Sequence, residues 1–425
     1  MKKILLVLLL AFPAFAFAQS EKPRSVTLEE VCQMVEENYS FLGKYDVIES
    51  DRKLDIFKSQ QNYIPSVNLK ANVSYQTEVI SFPEMVYDLL GLDRLRKDQY
   101  SIALELTQRI WDGGQTKAEK AIANTSADAR KKELEVELFN LKQNVTNMYF
   151  AVLLVDKAIA QADIHVQYLD KMQKMMQDGF DKGIFSSVDL NELKVSMIEA
   201  AQARNELKMR RSTVLSTLSD LSGRDLHDSQ FQTPMAIRPA VAADFTARPE
   251  YALFEAQKKL ADAKLGMLEV GRRPQFALVL QGGYGYPGYD ILNDSFHPFA
   301  LAGIRISWDL NNFFFSRKAK KLVEYGALRN IEMAQNAFEH QMNQQLIQQN
   351  NEAARLDGVI ADDGEIVELR KAIRISSEDR FDKGIITVTE LLEDVNDENI
   401  ATLNKMIHEM ELLKTLYQLK YTMNQ

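Results

Sequence analysis

The side chains most able to do chemistry are two pairs of carboxylates, each spaced three residues apart. Asp189 and Glu192 form the first pair, and Glu390 and Glu393 form the second. A three-residue step brings both acids of a pair to one face of a helix. Acids near a helix start also favour the positive end of the helix dipole, which is the plainer interpretation. Each pair is therefore either a functional concentration of negative charge or a pair of acids that stabilises the start of its helix.

Other motifs do not indicate chemistry. Residues 283–288 match G-x-G-x-x-G, but the dinucleotide fingerprint needs a helix to begin there and Pro287 interrupts it. The sequence contains no nucleophile elbow and no P-loop. The five histidines lack the spacing of metal ligands, and they are His165, His227, His297, His340 and His408. The sequence predicts no catalytic, cofactor-binding or metal site, and we expect no enzyme.

The N-terminus predicts export. Lys2 and Lys3 precede an uncharged run from Ile4 to Phe17, and small residues flank position 17 before Gln19. This is the pattern of a secretory signal peptide over residues 1–18, too short to span a bilayer. The net charge of −9 becomes −11 once Lys2 and Lys3 are removed. An acidic chain is not expected to bind nucleic acid, which needs clustered Lys and Arg.

Helix breakers divide the rest of the chain unevenly. No proline lies between Pro83 and Pro234, and no glycine lies in the 64 residues between Gly114 and Gly179. A stretch this long without breakers indicates a coiled coil or helical array, and it could reach about 95 Å. The chain after Asn312 has the same character. Long helices are therefore predicted in both halves.

Four short segments alternate between apolar and polar residues instead, at about 66–76, 100–110, 275–286 and 299–309. Each is close to the length that a tilted strand needs to cross a bilayer. Aromatic residues stand near the segment ends, where membrane barrels carry aromatic girdles, and they are Tyr75, Tyr100, Tyr284, Tyr286 and Trp308. The alternative is an ordinary half-buried sheet in a soluble protein.

The two halves of the chain repeat each other. Residues 180–184 (FDKGI) recur at 381–385, an offset of 201. Identity over five residues at matching places is strong evidence for a duplication. We expect a first repeat at 19–235 and a second at 236–425, each with the order helix, strand, strand, long helix, helix. Four strands are too few to close a membrane barrel. An open four-stranded sheet would leave the N–H and C=O groups of its two edges unpaired in lipid. Two chains would supply 8 strands and three would supply 12, and the sequence alone leaves this choice open.

Several motifs together resemble the TolC family of outer-membrane efflux proteins over nearly the whole exported chain. They are Arg248-Pro249-Glu250, Glu255-Ala256-Gln257, Arg273-Pro274, the Asp112-Gly113-Gly114 turn, and the helix breaks at Gly183 and Gly384. One departure is Asn311-Asn312-Phe313, where the second repeat should carry a glycine-containing turn. That junction is expected to be built differently.

The resemblance implies a mainly α fold with a membrane β-barrel portion. Three chains would form a 12-stranded barrel above a periplasmic α-helical barrel of about 100 Å. The implied function is a passive outer-membrane conduit of a tripartite efflux or type I secretion system. Its partners would be a periplasmic adaptor, an inner-membrane pump of the RND or ABC type, and outer-membrane lipid. The alternative class is a soluble periplasmic coiled-coil scaffold, with the four strands in a small sheet.

The resemblance also assigns roles to residues. Glu390, Glu393, Asp189 and Glu192 match the acids that line the family's periplasmic gate, where threefold symmetry would gather them into a cation-attracting mouth. Family members lock this gate with Arg or Tyr contacts, but Ile386 and Phe381 cannot form a salt bridge here. The helix tips should dock the adaptor, and their residues are Phe180, Asp181, Lys182, Gly183, Phe381, Asp382, Lys383 and Gly384.

Overall fold

The computed structural model describes residues 25–39, 41–91, 94, 96–238, 245–290 and 295–424. The predicted signal peptide at 1–18 lies outside these residues. The chain divides into two compact units. The first contains the described parts of 1–39, 142–238 and 351–417, and the second contains those of 40–141, 239–350 and 418–425.

The first half runs from a short strand to a helical hairpin. Its elements are β1 (Ser25–Val26), α1 (Leu28–Asn38), α2 (Phe41–Gln60), β2 (Ser66–Tyr75), α3 (Glu84–Leu90), β3 (Asp98–Trp111), α4 (Gln115–Asp181) and α5 (Ser187–Ser222). A single 3-10 turn, Gln61–Tyr63, joins α2 to the residues before β2. The stretch that lacks breakers is thus the 67-residue helix α4, which extends just beyond it.

The second half repeats this order after a connecting strand. Its elements are β4 (Gln230–Phe231), α6 (Pro249–Val270), β5 (Gln275–Tyr286), β6 (His297–Ser307), α7 (Asn311–Asp382) and α8 (Val388–Met423). Pro249 occupies the first turn of α6, where its missing N–H costs nothing. The predicted mainly α fold with two helix-strand-strand-helix-helix repeats is confirmed. Among the helices of the described residues, none is both long and apolar enough to cross a membrane.

In the second unit, four strands form one antiparallel sheet in the order β2-β3-β5-β6. Residues opposite each other in the register share one face of the sheet. Leu69 lies opposite Leu104 on an apolar face, and Asn68 lies opposite Glu105 on a polar face. Strand ends differ from the sequence-based bounds by at most two residues. The two-faced alternation therefore sets the register between strands.

The two strand-to-helix junctions differ as the sequence indicates. Before α4, the Asp112 carboxylate accepts hydrogen bonds from the backbone N–H groups of Gly114 (2.9 Å) and Thr116 (2.7 Å). Gly113 and Gly114 hold φ values of +71° and +93°, which side-chain-bearing residues rarely adopt. Before α7, the Asn311 N–H instead donates to Asp309 Oδ1 (3.0 Å), with no glycine involved.

The first unit contains a strand pair that the sequence did not reveal. β1 and β4 run parallel for two residues each, with Val26 beside Phe231. The Tyr149 hydroxyl of α4 lies 2.9 Å from the carbonyl oxygen of Val26 and 2.7 Å from that of Gln232. Tyr149 is fully buried, and this burial raises the pKa of its hydroxyl. The start and the end of the first repeat are thereby fixed to the long helix.

Candidate functional site at the paired helix tips

Each long helix of the first unit ends in the same turn. At the end of α4, Gly183 N–H donates to Phe180 O (2.8 Å) and Ile184 N–H donates to Gly179 O (2.8 Å). At the end of α7, Gly384 and Ile385 N–H donate to Phe381 O and Arg380 O, both at 2.9 Å. The two glycines have φ values of +76° and +71°. These are Schellman turns, in which the left-handed residue is a glycine because Cβ would be strained there.

The following helices also begin alike. At the start of α5, the Asp189 carboxylate accepts from Ser186 N–H (2.8 Å), and Asp189 N–H donates to Ser186 Oγ (3.3 Å). At the start of α8, Glu390 accepts from Thr387 N–H (2.8 Å) and its N–H donates to Thr387 Oγ1 (3.3 Å). Both are capping boxes. The hydrogen bonds from the Thr387 N–H and hydroxyl lower the pKa of Glu390.

Two of the four predicted gate acids therefore have a local structural role. Asp189 and Glu390 cap the helices on which they stand, as the plainer interpretation of their positions expected. A gate role for them stays a prediction.

The other two acids stand one turn further along their helices and differ from each other. Glu192 accepts a hydrogen bond from Thr389 Oγ1 of α8 at 2.5 Å. Glu393 is exposed and makes no hydrogen bond or ion pair with any described residue. The repeat explains this difference, because Val188 occupies the position that corresponds to Thr389 and has no hydroxyl to offer.

Glu192 and Glu393 line one open groove of about 710 Å³, which runs along α5 and α8 and reaches α4. Its other polar lining residues are His165, Asn191, Ser196, Glu199, Thr389, Asn396 and Asn399. Burial lowers the pKa of His165, which favours its neutral form. The groove therefore combines carboxylates and neutral polar groups, and the three-residue spacing places both predicted acids on it. Within the described ranges, no three His, Cys, Asp or Glu side chains gather into a possible metal site.

An apolar core joins the two tips. Phe185, which follows the first turn, stacks on Phe381 at the end of α7, with ring centroids 5.4 Å apart and planes 4° apart. The buried members of this core are Leu169, Met172, Met176, Leu193, Phe381, Val388, Leu391 and Val395. Phe381 is only 6% exposed, whereas its counterpart Phe180 is 39% exposed. The predicted docking residues thus include one phenylalanine that is accessible and one that is not.

The charged residues of the predicted docking tips are all exposed, and they are Asp181, Lys182, Asp382 and Lys383. Lys383 forms an ion pair with Asp379, one turn earlier on α7. On α4, Gln177 donates to Asp181 at 3.0 Å, one residue before the positions that correspond to Asp379 and Lys383. The two tips therefore present similar charges on similar backbones.

Above the tip core lies a polar network that the sequence did not indicate. Arg374 of α7 forms ion pairs with Glu378 (2.6 Å) and with Glu398 of α8. The Tyr168 hydroxyl of α4 donates to Glu378 at 2.6 Å, and Arg374 lies 5.8 Å from the Tyr168 ring centroid. Burial, followed by the Glu378 contact, raises the pKa of Tyr168. The network connects α4, α7 and α8 through ion pairs and a hydrogen bond. These contacts do not involve Ile386 or Phe381, the two positions near the tip that cannot form a salt bridge.

The sheet of the second unit presents an exposed apolar face. Eight of its large side chains are at least 40% exposed, and they are Val67, Leu69, Val73, Ile102, Leu104, Leu280, Ile304 and Ile306. Aromatic residues border this face at both strand ends. Tyr100 and Tyr284 lie against Phe296 at one end, each with centroids 6.1 Å from it. Trp111 packs on Phe276 at the other end, with centroids 5.6 Å apart.

Known proteins share this architecture. Residues 55–224 match the family model described as outer membrane efflux protein. No curated protein matches the chain at the level of sequence. The resemblance to the TolC family that the sequence predicts is confirmed by this match and by the fold.

Solved structures of similar fold include an outer-membrane protein and two proteins described as outer-membrane channels. CmeC of Campylobacter jejuni has a TM-score of 0.66 and 14% identity, over 93% of this chain and 85% of that one. VceC of Vibrio cholerae has a TM-score of 0.65 and 13% identity, over 93% and 94%. MtrE of Neisseria gonorrhoeae, in its open state, has a TM-score of 0.61 and 15% identity, over 93% and 88%. At these identities the likeness concerns the fold.

Proposed function

We propose that this chain, which has the fold of outer-membrane efflux channels, forms a passive trimeric conduit across the outer membrane. The observation that carries the proposal is the sheet. Within the described residues, β2 pairs only with β3 and β6 pairs only with β5, so both edges of the sheet have a free side. One face is apolar, exposed and bordered by aromatic rings, as a lipid-facing strand set should be.

The free edges of a sheet whose apolar face lies in lipid must pair with strands of another copy of the chain. A sheet edge in lipid leaves N–H and C=O groups unpaired, at a cost of several kcal/mol for each group. Joining β6 of one chain to β2 of the next removes every edge. Three chains give 12 strands, which leave a lumen, whereas 8 strands would be filled by their own side chains. The polar face would then line a wet interior.

We further propose that the helix tips form the periplasmic end of this conduit. Asp189, Glu192, Glu390 and Glu393 would contribute negative charge to its mouth, with Glu393 the least committed of the four to other contacts. The tip residues 180–183 and 381–384 would dock a periplasmic adaptor, with Phe381 buried and the others at the surface. The adaptor would connect the conduit to an inner-membrane pump of the RND or ABC type, for efflux or for type I secretion. Export would depend on the signal peptide at 1–18, and the repeats at 19–235 and 236–425 would each supply one hairpin of strands.

Fractionation and bilayer recording test the conduit. We expect the protein in the outer membrane, extractable only with detergent, trimeric after purification and able to form pores in planar bilayers. A monomer that is freely soluble in the periplasm and forms no pores would overturn the proposal. That result would favour the coiled-coil scaffold instead.

The gate has its own test, Glu390→Gln combined with Glu393→Gln. Glutamine still accepts a hydrogen bond in a capping box, so the helix start should persist while the charges disappear. We expect block of single-channel current by Mg²⁺ to weaken. Unchanged block would remove both residues from the gate without touching the conduit proposal.

A further inference from the structure

We infer that the polar face of the sheet carries an arginine belt, defined by Arg109 and Arg305, that concentrates anions within the lumen of the barrel. The inference rests on the proposed function, because only a closed barrel turns this face into a lumen. It concerns the chemical class of what passes.

The strand register brings the two arginines to one row. Arg109 of β3 lies opposite Ala277 of β5, and Ala277 lies opposite Arg305 of β6. Opposed residues share a face, and adjacent strands are about 4.8 Å apart, so the two Cα atoms are roughly 10 Å apart. Ala277 between them projects only a methyl group. The row therefore offers space for an anion between two guanidinium groups.

Nothing on this face neutralises the two arginines. Neither side chain makes a hydrogen bond, ion pair or ring contact with a described residue. Glu105 is the only carboxylate on the polar face of the four strands as described, and Lys70 already holds it at 2.6 Å. Arg305 feels the field of Glu105 without pairing with it. Three cations against one carboxylate leave a charge of +2 on this face in each chain.

Symmetry would multiply this charge. In the proposed trimer, six guanidinium groups would surround the lumen near the end of the barrel where β3 leads into α4. A concave wall of one sign focuses the field and raises the local concentration of the opposite ion by about tenfold or more. Guanidinium groups bind carboxylate and phosphate through paired N–H donors, so organic anions should benefit more than chloride.

The test is the reversal potential of single channels in a KCl gradient. We expect Arg109→Gln with Arg305→Gln to lower the chloride-to-potassium permeability ratio at least about twofold. The charge-preserving pair Arg109→Lys with Arg305→Lys should keep the ratio of the unaltered protein. A matched control is Arg94→Gln with Lys97→Gln, which removes two cations from the segment between β2 and β3 and should change nothing.

Citrate provides a second measurement on the unaltered protein, so the test survives if the double variant fails to assemble. Citrate at low ionic strength should reduce the chloride current, and the effect should vanish in about 1 M KCl, where the Debye length is about 3 Å. Open channels with an unchanged permeability ratio in the double variant, or with no response to citrate, would overturn the belt and leave the conduit intact. A purified protein with no conductance at all would instead overturn the proposed function.

Discussion

The two helix tips have the same backbone conformation, but equivalent side chains lie in different environments. Both end in a Schellman glycine and both restart in a capping box, at Gly183 with Asp189 and at Gly384 with Glu390. Their aromatic residues diverge, because Phe381 is 6% exposed and Phe180 is 39% exposed. A duplicated sequence thus preserves turns and caps while its side chains divide between core and surface.

Their acidic residues diverge in the same way. Thr389 donates to Glu192, but Val188 at the corresponding position cannot donate to Glu393. The second tip therefore binds Glu192 of the first tip, whereas the first tip has no donor at the corresponding position for Glu393 of the second. The first tip offers an accessible ring, and the second carries the accessible charge.

The largest expected difference concerns the two phenylalanines. Phe381→Ala should destabilise the tip by about 3 kcal/mol, since it removes a buried ring from a packed core. Phe180→Ala should cost less than about 1 kcal/mol, because that ring is partly solvated already. Thermal unfolding in detergent and hydrogen exchange at the tips would measure both. Equal losses would mean that the two tips are equivalent after all.

The glycines should behave alike. Gly183→Ala and Gly384→Ala each place a Cβ in a left-handed conformation, at a cost of about 1–2 kcal/mol. Neither position has neighbouring atoms within 4 Å of a new Cβ, so the cost is one of backbone strain alone. Hydrogen exchange of the turn amides should rise to a similar extent in both variants. A several-fold difference between them would contradict the shared backbone.

The capping box should make the stability of the second tip depend on pH. The pKa of Glu390 is lowered by its hydrogen bonds, so the capping contribution is present above the ordinary carboxyl pKa and is lost as pH falls through the lower folded value. Exchange protection at the start of α8 should therefore decrease on acidification. Thr387→Ala should cost about 1 kcal/mol at neutral pH and make that decrease smaller without abolishing it, because the hydrogen bond from the backbone N–H of residue 387 to Glu390 remains. Protection that survives acid in the unaltered protein would argue against the capping box.

The smallest effect concerns the second pair of acids. Glu393→Gln should weaken Mg²⁺ block of the current more than Glu192→Gln, by about two- to fivefold, since exposed charges contribute roughly 0.2–1 kcal/mol each. Val188→Thr should supply Glu393 with a donor and reduce the difference, and Thr389→Val should release Glu192 and reduce it from the other side. Equal block in all four variants would show that the hydroxyl contact has no bearing on the mouth.

Sequence reasoning located what local rules decide. The repeated FDKGI motif marked both turns, because glycine at the end of a long helix is tied to one backbone conformation. Alternation marked the four strands, because a pleated strand with one wet face and one apolar face must alternate. The unusual Asn311 junction was also visible, since no glycine was available there.

What sequence reasoning missed depends on distant contacts. In the sequence, Arg374 looks like any other charged residue on a helix surface, but it forms an ion pair with Glu398 on another helix. The pairing of β1 with β4 joins two-residue strands that lie about 200 residues apart and have no periodic pattern of their own. The short helix α3, in the segment between β2 and β3, is likewise too brief for its period to appear. The division of labour between Phe180 and Phe381 cannot be read from identical motifs.

Gly179 shows that residues of the two halves cannot be exchanged one at a time. A Cβ at this residue would lie 2.5 Å from the Phe185 ring, and the second half has Arg380 at the corresponding place. The second half can carry that arginine because it has Ile386 where the first half has Phe185. Glycine with phenylalanine in one half and arginine with isoleucine in the other are therefore matched pairs, and a protein engineer who moved residues between the halves would have to move both positions together.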